Sequence, residues 1–172
     1  RAEEEGFDAV CVDTTGDTGI AALRAVLDIP VVGAARSAFL MAMLLGDRFS
    51  VIALWDRWNA AYARTIAELG IAHKFASVRD IGATPDNRSL MSGKEESFPL
   101  LEEAARRCIE EDGADVICLG STTMHRAHAY LSERLNIPVI DPGPLSYKII
   151  AALLHLDLSH SRLAYKGPVS RV

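Results

Sequence analysis

The sequence predicts an α/β protein of two pseudo-symmetric lobes, each a parallel sheet flanked by helices, with a ligand cleft between them. Three observations predict it. Short apolar runs rich in β-formers alternate with segments of helical periodicity, the pattern of βα units and a parallel sheet. Glycine and proline punctuate many of the junctions. Two stretches also match, FDAVCVDTTGDTG at residues 7–19 and ADVICLGSTTMHR at residues 114–126, setting Asp8 on Asp115, Cys11 on Cys118 and Thr14 on Ser121. Each leads through helix-like sequence to an Ile-Pro-Val, at residues 29–31 and 137–139. A repeat this long indicates a duplicated domain, not a solenoid.

In chain order, residues 8–13 (DAVCVD) read as a buried strand closed by the TTGDTG turn. Residues 17–27 carry apolar side chains at helical spacing, and 30–33 (PVVG) form a very short strand. Residues 37–45 read as an apolar helix ended by Gly46, and 48–55 (RFSVIALW) as the next strand. A helix over 57–69 stops at Gly70, and 73–79 alternate as a strand. Residues 80–95, with Gly82, Pro85 and Gly93, read as a loop. Residues 98–111 have amphipathic helical spacing with Gly113 behind them. The second matched unit then supplies a strand at 115–119, a helix at 124–135 and a strand at 138–141. DPGP breaks the chain before a last helix that begins at SYK. The first lobe is expected to comprise residues 1–46 with a C-terminal helix within 144–165, and the second residues 47–143.

Composition narrows the function. Hydrophobic residues make up 49% of the 172, enough for a packed core, and the net charge of -5 comes with no Lys/Arg cluster, which argues against nucleic acid. The longest apolar runs, such as 38–45, fall well short of the roughly 20 residues of a bilayer span, so no membrane partner is expected. Three cysteines, two of them inside apolar runs, point to reduced thiols in a cytoplasmic protein. None has zinc-ligand spacing, and no metal site is expected.

In parallel sheets the working residues sit just beyond the carboxyl ends of strands. Thr14 and Ser121 occupy such ends, each entering a turn before a helix. Ser or Thr at one strand end is ordinarily a helix cap; two at matched positions, each in a turn that carries glycine, favour a shared site. The amides of Thr15, Gly16, Asp17, Thr18 and Gly19, and of Thr122 and Thr123, lie where strand gives way to helix. They suit a carboxylate or an enolate oxygen. Asp17 also suits a capping role at the following helix. Asp13 reads either as a loop carboxylate or as a base. His125, one helical turn after Ser121, is placed to act as its base, although an exposed histidine there is commonly inert. Trp55 would narrow a pocket or stack on a planar ligand; core packing is an equal reading.

At these residues the sequence resembles the aspartate/glutamate/hydantoin racemase superfamily, nearest the hydantoin and allantoin racemase branch. The resemblance rests on GFDAV followed by GDTG, IPVVG followed by RFSVI, RRCIEEDGADVICLGSTTM, LSERLNIPVIDPG and the closing SHSRLAY. It implies a cofactor-independent racemase or epimerase acting at a carbon next to a carbonyl of an amino-acid derivative or hydantoin. It further implies a small-molecule substrate with a carboxylate or carbonyl, and a homo-oligomer. The family uses two cysteines, one per lobe, and those positions here are Thr14 and Ser121. A hydroxyl is a far weaker acid than a thiol and needs a neighbouring base, so a two-thiol relay is not available. Cys11 and Cys118 lie three residues earlier, on the opposite side of the strand and about 10 Å back, and are expected to be core residues. Two alternatives stand beside the racemase reading: a ligand-binding member without turnover, and a decarboxylase or isomerase of the same fold. The family's opening strand, helix and strand have no counterpart in the sequence, so the first lobe is expected to be N-terminally truncated.

Overall fold

Among the described residues, 1–83 and 97–167 of the computed structural model, the β-rich runs form six strands, all paired in parallel. Strands β1 (Val10–Val12) and β2 (Val31–Gly33) make a two-stranded sheet, with Val10 opposite Val31. The larger sheet has the order β4-β3-β5-β6, built from β3 (Phe49–Ala53), β4 (Phe75–Asp80), β5 (Val116–Leu119) and β6 (Val139–Ile140). Six helices accompany them: α1 (Ile20–Val26), α2 (Ala34–Leu45), α3 (Asn59–Leu69), α4 (Phe98–Glu110), α5 (His125–Arg134) and α6 (Pro142–His155). None is long and apolar enough to cross a membrane.

Period-two alternation divides the core of the larger sheet. Ile52, Ile117 and Leu119 meet Leu101, Ala105 and Cys108 of α4 and Ala127 and Leu131 of α5. On the opposite face, Phe49, Val51, Val116 and Cys118 meet Ala35, Ala38, Phe39 and Ala42 of α2 with Tyr62 and Ile66 of α3. Helix α2, which the sequence assigns to the first lobe, thus contributes to the core of the four-stranded sheet. Helix α6 lies against α2, β1 and β2, bringing the end of the chain back to its beginning. The SHSRLAY segment then closes α1. His160 Nε2 lies 2.8 Å and 2.9 Å from the Arg24 and Leu27 carbonyls, and Arg162 donates to the same two oxygens at 2.8 Å and 3.0 Å. Those carbonyls belong to a last turn that has no intrahelical donors. Tyr165 accepts a hydrogen bond from Arg24 Nη1 at 2.9 Å, a packing role.

Three helix starts differ from expectation by three residues or more, each with an identifiable cause. Helix α1 starts at Ile20 rather than 17, because Asp17 (φ 48°) and Gly19 (φ 84°) are both left-handed. Helix α2 starts three residues earlier than its apolar run, at Ala34. Its first amides are capped by Asp17, whose carboxylate accepts from Ala35 N at 3.0 Å and Arg36 N at 2.9 Å. DPGP does not break the chain before α6 but begins it. Asp141 is the N-cap, accepting from Gly143 N at 3.3 Å, and Pro142 takes the first helical position, where a missing N–H costs nothing. The expected loop at 80–95 lies mostly outside the described residues, which stop at 83 and resume at 97.

Candidate active site at two matched strand ends

Both matched turns fall at carboxyl ends of strands, one beyond β1 and one beyond β5. Their internal hydrogen bonding repeats as the sequences do. Thr14 Oγ1 accepts from Gly16 N at 3.4 Å, and Ser121 Oγ accepts from Thr123 N at 3.2 Å. Each hydroxyl therefore closes a turn with the amide two residues on. Ser121 Oγ also lies 2.9 Å from Thr123 Oγ1. Among the described residues, the intervening amides of Thr15 and Thr122 have no acceptor.

The two turns touch, and they do so reciprocally. Thr15 Oγ1 donates to the carbonyl of Gly120 at 2.5 Å, and Thr122 Oγ1 donates to the carbonyl of Asp13 at 3.4 Å. In each case the residue after the hydroxyl position binds the residue before its counterpart. Along the chain, Thr14 lies between Asp13 and Thr15, and Ser121 between Gly120 and Thr122, the residues that make these crossed bonds. The Gly120 carbonyl also accepts from Tyr62 Oη at 2.6 Å. A Cβ at Gly120 would lie 2.7 Å from that Tyr62 oxygen and 2.8 Å from the Ile52 carbonyl, so the loop can approach only as glycine. Tyr62 is 1% exposed, and burial pushes its phenol up to about 12.

The other anticipated residues divide. The Asp17 carboxylate is turned to α2 and away from the helix that follows it. It is buried, with Arg36 Nε at 3.5 Å, and burial raises its pKa despite the two amides and Arg36. A Cβ at Gly33 would stand 2.5 Å from that carboxylate, which explains the glycine ending β2. Gly16, Thr18 and Gly19 line a cavity of about 370 Å³ with Arg36, Arg64 and Glu68, flanking the first turn. Trp55 packs against the core beneath α4 and α5; its indole N–H is buried without an acceptor among the described residues. Cys118 is buried with Sγ 3.8 Å from the Ala38 carbonyl, and Cys11 is half-buried. Burial pushes both thiols up, helped at Cys11 by Asp13 and Asp17, so neither is poised as a thiolate.

His125 does not hydrogen-bond to Ser121. Its Nδ1 is 2.5 Å from Oδ2 of Asp141, the capping residue of α6. The carboxylate is 6% exposed and the imidazole 67%. Across the junction, Tyr147 of α6 donates from Oη to Asp13 Oδ2 at 3.3 Å. The sequence reading missed Tyr62, Asp141 and Tyr147, whose partners lie far along the chain. It also missed Trp58, whose Cζ3 is 3.2 Å from where a Cβ on Gly16 would stand. The reciprocal Thr15 and Thr122 bonds did have a signal, because the internal match that sets Thr14 on Ser121 also sets Thr15 on Thr122.

Known proteins are similar to this chain in sequence and fold. The family model described as Asp/Glu/Hydantoin racemase matches residues 1–148. A hydantoin racemase of Pseudomonas sp. (strain NS671) is 32% identical over 171 residues, covering 98% of this chain and 67% of its own. Allantoin racemase from Klebsiella pneumoniae superposes with a TM-score of 0.89 at 27% identity, covering 99% of this chain and 69% of that one. Allantoin racemase from Pseudomonas fluorescens gives 0.89 at 30% identity, covering 96% and 70%. Sequence, fold and the paired strand-end turns agree: the chain belongs to the Asp/Glu/hydantoin racemase family.

Proposed function

We propose that this protein is a cofactor-independent isomerase that inverts a carbon next to a carbonyl, with a hydantoin or related amino-acid derivative as substrate. The observation that carries the reading is the reciprocal contact of the two turns around Thr14 and Ser121. Inversion needs proton removal on one face of a carbon and delivery on the other, so two matched strand ends that meet suit it. The amides of Thr15 and Thr122, without an acceptor among the described residues, supply donors for the enolate oxygen that forms between the two transfers. The relatives named hydantoin and allantoin racemase support the substrate class. Hydroxyls at the thiol positions alter the proton transfer and leave the two strand ends matched. The same reading takes the protein as a homo-oligomer in a reducing compartment, supported by apolar side chains exposed on α2 and α6 and by three free cysteines. Sedimentation tests the first point.

Loss of the α-proton signal in heavy water from a panel of amino acids and 5-substituted hydantoins tests the activity. Exchange without inversion, or no exchange with any member, refutes it. One specific observation favours a second reading, a ligand-binding member without turnover: both hydroxyls are engaged in their own turns. Replacing both by cysteine, Thr14→Cys with Ser121→Cys, separates the two. Inversion appearing or rising in that variant supports the isomerase pocket; retained ligand binding with no inversion supports the binding module. Release of carbon dioxide from an α-carboxylated analogue would instead identify a decarboxylase of this fold.

A further inference from the structure

The inference concerns which groups move protons in a site without thiols, and it rests on the isomerase reading above. We propose that Asp13 and His125 are the two proton-transfer groups, one from each turn, each positioned by a side chain of α6. Asp13 directly precedes Thr14, and its carboxylate is exposed and held by the Tyr147 hydroxyl at 3.3 Å. His125 opens α5 beyond the second turn, and its Nδ1 is held by Asp141 at 2.5 Å. One helix thus tethers both groups: Asp141 caps it and Tyr147 lies in its second turn, roughly 9 Å further along the axis at 1.5 Å per residue. The two tethers belong to one cluster. Thr122 Cβ would be 3.6 Å from a Cβ on Gly143, and Thr122 donates to the Asp13 carbonyl.

Chemistry favours these two over their neighbours. A serine or threonine hydroxyl is too weak an acid to shuttle a proton at neutral pH without a base. Both thiols of the matched units are kept protonated by burial. A carboxylate on Nδ1–H leaves Nε2 as the basic nitrogen of a largely exposed ring. In one direction the Asp13 carboxylate takes the α-proton as the C–H bond breaks, and the electron pair moves onto the carbonyl oxygen. Protonated His125 then delivers its Nε2 proton to the opposite face of the carbon. In the other direction His125 removes the proton and the Asp13 carboxylic acid returns one. Water resets both groups, and no oxidant or further reactant is consumed. Asp141 and Tyr147 are positioning residues that act through these two.

The test follows solvent deuterium entering each enantiomer of 5-methylhydantoin separately, in the full-length chain. With His125→Asn, inversion should fall at least 100-fold, on the scale of one lost acid–base group. Exchange should persist for the enantiomer whose proton faces Asp13. Asp13→Asn should give the mirror result, retaining exchange only in the other enantiomer. Asp141→Asn, which keeps a capping side chain, should slow the His125-side enantiomer alone and change the ¹⁵N pattern of His125 from the Nδ1–H tautomer. Tyr147→Phe, at an exposed position that leaves folding intact, should slow only the Asp13 side. Loss of exchange in both enantiomers together, or in neither, overturns the assignment while a wild type that inverts the substrate leaves the isomerase reading standing. A wild type that exchanges neither enantiomer overturns both.

Discussion

The junction of the two turns hangs on one carbonyl oxygen, that of Gly120, which accepts from Thr15 Oγ1 at 2.5 Å and from Tyr62 Oη at 2.6 Å. Thr15→Val and Tyr62→Phe each delete one donor with little change of shape, and each leaves the carbonyl with the other. Either alone should cost about 1 kcal/mol, the net worth of one hydrogen bond. The double variant removes both protein donors. Thr15 is 6% and Tyr62 1% exposed, so the oxygen is then stranded in an apolar surround, and its desolvation adds about 1–3 kcal/mol to the summed single effects. The total of about 3–5 kcal/mol corresponds to a fall in Tm of roughly 10 °C or more for a chain of this size, against about 3 °C for either single change. Urea unfolding of the four proteins, read by tryptophan fluorescence, gives the coupling directly. Additivity within about 0.5 kcal/mol would mean that the oxygen is served by water or that the turns part, and the reciprocal junction would be wrong.

Three further outcomes follow from the same geometry. Stability should decline between pH 10 and about 12 through Tyr62, because burial keeps the phenol neutral in the folded chain and the unfolded chain loses its proton first. The slope should approach about 1.4 kcal/mol per pH unit and vanish in Tyr62→Phe, as pH-dependent urea midpoints would reveal. Asp17→Ala removes the cap of α2 and leaves Arg36 without its buried partner. Arg36 keeps its ion pair with Glu68, so a loss of about 1–2 kcal/mol is expected from the cap, and a thermal midpoint within a degree of wild type would contradict the capping role. Gly120→Ala forces a methyl against the Ile52 carbonyl and Tyr62, so it should destabilise by about 1–3 kcal/mol and lower soluble yield; full stability would mean the close approach is absent.

Several elements were legible because their causes are local. Apolar runs gave β3 and β5, and the alternation of residues 73–79 gave β4; in the fold Ile117 and Leu119 face one helix layer and Cys118 the other. Gly46 and Gly70 marked the ends of α2 and α3 as expected. The helix starts were misjudged where the cap comes from elsewhere: Asp17 serves a helix beginning 17 residues later at Ala34, and no spacing rule encodes that choice. Asp141 similarly combines a local cap with a grip on His125, 16 residues upstream.

By itself the sequence determined the βα order, the two matched hydroxyl positions and the absence of thiols from them, since strand periodicity, turn residues and internal repetition are all written along the chain. Only the tertiary structure decided how the turns meet. It crossed Thr15 with Gly120 and Thr122 with Asp13, inserted Tyr62 as a second donor, and tied Asp13 and His125 to one helix. Those pairings join residues up to 134 positions apart. They arise from the packing of α2, α3 and α6 around the sheets, where directional bonds in a buried junction select partners that no local preference can name.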